Sequence, residues 1–213
     1  MPGRKAPETE RRQQIMRAAF EVAARDGLEG LTVRKVATRA RLSSGLVLFH
    51  FSTREQLIVA LLDWVLATTT VLHITDDIAS IAAPLDRFIA LLQREMHRLS
   101  AEPRRMRVFF EFWVMGIRHR GVGARMRTEL RRYREAFRPM AEEVLRAEPG
   151  RFVHVTPAGL AAVGVSFIKG CAVQSMIDAE HFDISDYLAA AQGLVGQLGV
   201  ARTNARLRRA PGQ

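Results

Sequence analysis

Residues 32–54, TVRKVATRARLSSGLVLFHFSTR, constrain this chain more than any other stretch. Val33, Val36, Ala37 and Ala40 recur at helical spacing behind Thr32, a residue type that caps helix N-termini. A polar break, Arg41-Leu42-Ser43, follows, and a further helix is expected over about Ser44–His50. Isolated helices under about a dozen residues are marginal in water. Pieces this short persist only by packing on a larger element. The preceding segment, about Glu10 to Arg25, supplies one, with Ile15, Ala18, Ala19, Val22 and Ala23 as its apolar stripe and Gly27 as a left-handed cap. Two helices across a tight break form the helix-turn-helix unit, whose second helix enters the DNA major groove.

The charge distribution points the same way. The 213-residue chain carries a formal net charge of +10. Residues 1–54 hold 11 Lys and Arg against 5 Asp and Glu, whereas residues 55–199 hold 17 of each. Residues 200–213 add four Arg and no acid. The basic excess is therefore confined to the two ends, and the first ~50 residues are the candidate nucleic-acid face. With the apolar residues turned onto the first helix, Arg34, Ser44, Leu46, His50 and Arg54 remain to face double-stranded DNA. The small residues of SSG let the backbone approach, and the amides there suit a phosphate.

Beyond this unit the pattern stays helical. Ser52 and Glu55 have the spacing of a capping box for a fourth helix, Thr53 to about Ile74, which is apolar nearly all round and reads as a connector. Pro84 suits a first-turn position before Leu85, Phe88, Leu92, Met96 and Leu99, and Pro103 opens the helix containing VFFEFWVMGI. An arginine-rich helix is expected over about Gly123–Ala147, an apolar one after Thr156-Pro157, and a last one over Asp183–Gly199. The expected fold is all-α with about nine helices. A helix-turn-helix domain (1–54) is joined to a larger helical ligand-binding and dimerisation domain (55–199), followed by a basic, disordered tail (200–213).

Several function classes receive no support. The single Cys171 fits a reducing, cytoplasmic setting rather than a disulfide framework, and it reads as a small buried apolar residue. Residues 158–177 have the length of a membrane span, but Lys169 and Gln174 inside them favour a buried helix of a soluble chain. No histidine pair has zinc-like spacing, and no nucleophile elbow or phosphate loop supports an enzyme, so neither metal nor cofactor is expected. An architectural DNA binder without an effector remains the alternative to a ligand-released regulator.

The stretch DGLEGLTVRKVATRARLSSGLVLFHFSTREQL resembles the N-terminal region of the tetracycline-repressor (TetR) family of bacterial transcription regulators. The resemblance covers residues 11–62. It implies DNA contacts from Arg34, Ser44, Gly45, Leu46, Leu48, His50 and Arg54. The sequence departs at Leu48, where many members carry a phosphate-binding Tyr. FFEFW and SFIKGCAVQSMIDAEHFD are similar to the betaine-pathway repressor subgroup. In this family the last two helices pair with their copies in a homodimer, and the preceding ones enclose a small effector. Ala158, Ala162, Ser166 and Gly170 would let two such helices approach closely, with Val163, Val173 and Ile177 supplying apolar area.

Candidate effector residues are the large aromatics Trp113, Phe109, Phe110, Phe112, Phe137, Phe167 and Trp64, each of which could equally be core. Glu111 is either solvated or an anchor for a cationic ligand. Lys169 could meet an anionic head group or pair with Asp178 or Glu180.

Overall fold

The computed structural model describes residues 7–197; residues 1–6 and 198–213, including the basic tail expected over 200–213, lie outside the described residues. Among the described residues there are ten α-helices and no strand. They fall into two compact units, Met1–Val71 with Arg104–Glu129, and Leu72–Pro103 with Leu130–Gln213.

The first unit begins with α1 (Glu8–Asp26), α2 (Val33–Ala40), α3 (Ser44–Phe51) and α4 (Arg54–Thr69). Ile15, Ala18, Ala19, Val22 and Ala23 of α1 are buried, as are Val36, Ala37 and Ala40 of α2 and Val47 and Phe51 of α3. The two short helices therefore persist by tertiary packing, with α2 set chiefly on α1. Thr32 caps α2 as expected, accepting from the Lys35 amide at 3.3 Å. Gly27 ends α1 at φ 74° and ψ 170°, an extended mirror-image conformation open essentially to glycine alone, rather than in a left-handed cap.

The start of α4 differs from expectation. Ser52 adopts φ 40° in the sharp corner between α3 and α4, whose axes differ by 69°. The cap is Thr53, whose hydroxyl accepts from the Gln56 amide at 3.1 Å. Both residues carry a capping hydroxyl, and the corner engages the second of them. The helix ends at Thr69, five residues before Ile74. The same unit contains α7 (Pro103–Arg118, from Arg104 onward) and the first part of α8 (Arg120–Ala147), which starts before Gly123.

The second unit holds α5 (Asp76–Ala79), α6 (Pro84–Ser100), the rest of α8, α9 (Pro157–Ile177) and α10 (Ile184–Gln197). The single-turn α5 has no counterpart in the sequence pattern, which accounts for ten helices where about nine were expected. α6 and α9 form the main packing pair. Gly164 permits this: a β-carbon there would lie 2.8 Å from Leu92 Cδ2. The rings of Phe88 and Tyr133 both meet that of Phe137 edge-on, at 6.3 and 5.3 Å.

A charged cluster sits inside this apolar unit. Glu95 is fully buried, and its carboxylate accepts from Arg98 at 3.0 and 2.7 Å and from the Tyr133 hydroxyl at 2.7 Å. Lys169 is 6% exposed, with its ammonium 5.1 Å from the centre of the Tyr133 ring. Burial, reinforced by Arg98 and opposed by Glu95, pushes the Lys169 pKa from 10.5 down to about 7. Between those values the unfolded chain binds more protons at this residue than the folded one. The Lys169 contribution therefore makes stability rise as pH goes from about 7 to 10.5 and is flat below about 7. The urea midpoint of the wild type should rise more over this window than that of Lys169→Met. Parallel slopes for the two proteins would rule the effect out.

Candidate nucleic-acid interface

The break between α2 and α3 is closed by a Schellman arrangement. The Leu42 amide donates to Ala37 and the Arg41 amide to Thr38, with Arg41 itself left-handed at φ 56°. The Ala40 carbonyl accepts from Gln14 Nε2 of α1 at 2.7 Å. Ser43 caps α3 by accepting from the Leu46 amide at 3.1 Å. The amides of Ser44 and Gly45 have no intramolecular acceptor among the described residues, and both residues are exposed. They are donors held open at a helix N-terminus.

The basic side chains separate into engaged and open ones. Lys35 pairs with Asp26 at 2.8 Å, and Arg39 with Glu21 at 3.5 Å. The guanidinium of Arg54 donates to the carbonyls of Leu31, Leu28 and Glu29 at 2.7, 3.0 and 3.3 Å. It closes the end of the α1–α2 loop, so part of the donor set expected to face DNA is engaged within the chain, with convergent carbonyls matching its rigid fork. Arg34 and Arg41 are exposed, and among the described residues their side chains have no ion-pair or hydrogen-bond partner. Nothing in the helix-turn-helix spacing singles out Arg41; its position at the break is the only signal.

α3 presents Ser44, Gly45, Leu48 and Phe49 outward, while Leu46 and His50 are half-buried. The imidazole of His50 lies beside the rings of Phe49 and Phe51, and its Nδ1 is enclosed without a hydrogen-bond partner. Arg12 fixes the helix end by donating to the His50 carbonyl at 2.8 Å while lying 4.5 Å over the Phe51 ring.

Residues 15–61 match the tetR family of bacterial regulatory proteins, and residues 84–199 match the C-terminal region of BetI-type transcriptional repressors. The second match alone spans more than half of the chain. The chain belongs to the TetR family. It is 25% identical over 183 residues to the HTH-type transcriptional regulator BetI of Stenotrophomonas maltophilia, covering 83% of this chain and 89% of that one. Among solved structures, a transcriptional regulator from Pseudomonas aeruginosa PAO1 has a TM-score of 0.73 at 17% identity, over 95% of this chain and 96% of the other. A regulator from Saccharomonospora viridis in complex with choline has a TM-score of 0.68 at 13% identity, over 89% and 97%. This TetR-family protein is thus a non-enzymatic transcription regulator with a BetI-like C-terminal part.

In this TetR-family chain the aromatics expected around an effector are divided between the two units. Phe109, Phe110, Phe112, Trp113 and Trp64 belong to the first, Phe137 and Phe167 to the second. Phe109, Phe112 and Phe137 are fully buried. Trp64 packs on Phe20 at 5.4 Å, with Arg105 over both rings. Phe110 and Trp113 are half-buried neighbours at 6.0 Å. Glu111 is half-buried, and its carboxylate accepts from the Leu28 amide at 2.6 Å, beside Gly27. A carboxylate from α7 and a guanidinium from α4 therefore both hold the α1–α2 loop. On α9, Ala158, Val163, Ser166 and Ile177 point outward and Ala162 is half-buried. Gly170 instead makes room for its own chain's Tyr187, whose hydroxyl donates to the Phe167 carbonyl at 3.0 Å.

Proposed function

We propose that this regulator binds a pseudo-palindromic operator as a homodimer, represses from it in the cytoplasm, and is released by a small, mostly apolar effector. The observation that carries the DNA reading is the open end of α3. Unpartnered Ser44 and Gly45 amides share this unit with the exposed Arg34 and Arg41, whereas the neighbouring Lys35 and Arg39 are held in ion pairs with Asp26 and Glu21. Two copies would set their recognition helices about one DNA turn, or a small multiple, apart. The outward small and apolar faces of α9 and α10, including Leu194, fit the helix pairing expected between copies.

The effector reading is supported by the choline complex of a similarly folded regulator and by the half-buried Phe110–Trp113 pair. An effector must favour the DNA-incompetent state, since equal affinity for both states shifts nothing. The loop held by Glu111 and Arg54 gives α7 and α4 separate purchases on the DNA-binding helices.

Footprinting on an operator selected from random duplex DNA tests the reading. Two protected half-sites and stoichiometric dimer binding are expected, and one half-site bound tightly by a monomer contradicts it. Arg34→Ala and Arg41→Ala should each weaken binding to every sequence and lower the salt slope by about one unit. Arg54→Ala should instead lower stability, by leaving loop carbonyls without donors. A salt slope unchanged in Arg34→Ala and Arg41→Ala would remove both residues from the phosphate contacts.

A further inference from the structure

The exposed face of α3 is unusual for a surface that meets a polyanion. At about 100° per residue, Ser44, Gly45, Leu48 and Phe49 fall within an arc of about 140°, and the buried Val47 and Phe51 lie outside it. Phe49 is 79% exposed and Leu48 42%. No carboxamide lies on this face, and no basic residue follows Arg41 until His50. Bidentate hydrogen-bond reading of guanine or adenine by Arg, Asn or Gln is therefore not available from it. Among the described residues, Phe49 has one ring neighbour. The Phe49 ring meets the His50 imidazole edge-on at 5.3 Å and 82°, and Arg12 ties down the His50 carbonyl. Most of the phenyl ring is left open to solvent.

Double-stranded DNA offers one apolar group on its major-groove base edges, the 5-methyl of thymine. We infer that Phe49 and Leu48 read thymine 5-methyl groups, so that part of this regulator's operator choice is made by apolar contact on the recognition helix. The inference rests on the DNA reading above and names what the exposed face of α3 recognises. The open Ser44 and Gly45 amides precede the pair on the same arc, which makes it continuous with the phosphate-facing end of the helix. Deoxyuridine is the matched probe, because it pairs as thymine does and lacks only the methyl.

The test uses the full chain and an operator selected from random duplex DNA, with each thymine replaced singly by deoxyuridine. Wild-type affinity should fall roughly fourfold at one or two positions per half-site, the equivalent of one buried methyl. Phe49→Ala or Leu48→Ala should bind the thymine operator more weakly and lose the thymine–uracil difference at its own position. Phe49 is exposed, so circular dichroism should report an unchanged fold. Tight wild-type binding indifferent to uracil everywhere overturns this inference alone. A penalty that persists undiminished in both variants also overturns it, since other side chains would then be meeting the methyl. Failure to retain any duplex from the pool overturns the DNA reading and this inference together.

Discussion

Replacing Glu95 by leucine is expected to destabilise the protein by about 3–5 kcal/mol. The carboxylate is fully buried on α6 and accepts three hydrogen bonds, two from Arg98 and one from Tyr133. Its removal leaves a phenol and a guanidinium in an apolar unit without their acceptor, while Lys169 loses the one charge that raises its pKa. Arg98 keeps some access to water, with 22% of its side chain exposed, which places the effect toward the lower end of that range. A chain of this size should lose on the order of 10 °C in Tm. Glu95→Gln keeps an acceptor for Tyr133 and should cost less. A Glu95→Leu protein within about 1 kcal/mol of wild type in urea unfolding would show that the cluster adds nothing net, as some buried ion pairs do.

The second large effect concerns the proposed dimer. Ala162→Glu should convert the protein to a monomer at low micromolar concentration and weaken operator binding by about 100-fold or more. Ala162 lies on α9 between the exposed Ala158 and Ser166, where helices pressed together leave no room or counter-charge for a carboxylate. Ala162→Ser should remain dimeric. Gly170 is a poor test position, because a β-carbon there would lie 3.1 Å from the Tyr187 hydroxyl of its own chain. Sedimentation of Ala162→Glu as an intact dimer would move the interface off this face of α9.

These residues also mark where sequence was informative. Helical periodicity and caps are local. Thr32, Pro84, Pro103 and Thr156-Pro157 sit where the sequence puts them because each acts on amides within three residues or by its own fixed φ. Charge segregation likewise needs no coordinates, and it isolates the basic N-terminal face. At Ser52-Thr53 local information was insufficient, since either hydroxyl can cap and the 69° corner decided between them.

Side-chain roles set by distant partners were not legible in this way. Arg54 has the position of a DNA contact, yet it engages carbonyls 23 to 26 residues earlier. Glu111 reads as a surface acid or a ligand anchor, yet it holds an amide 83 residues away. Lys169 looks like an interruption in an apolar helix until Glu95 and Tyr133, from two other helices, surround it. The sequence by itself determined the all-helical class, the helix-turn-helix unit and the basic face, because periodicity, capping and net charge act over a few residues or over sums. Only the tertiary structure decided which cations remain open and which acids are buried, because an ionised side chain is governed by whatever partner the fold brings within about 3 Å of it.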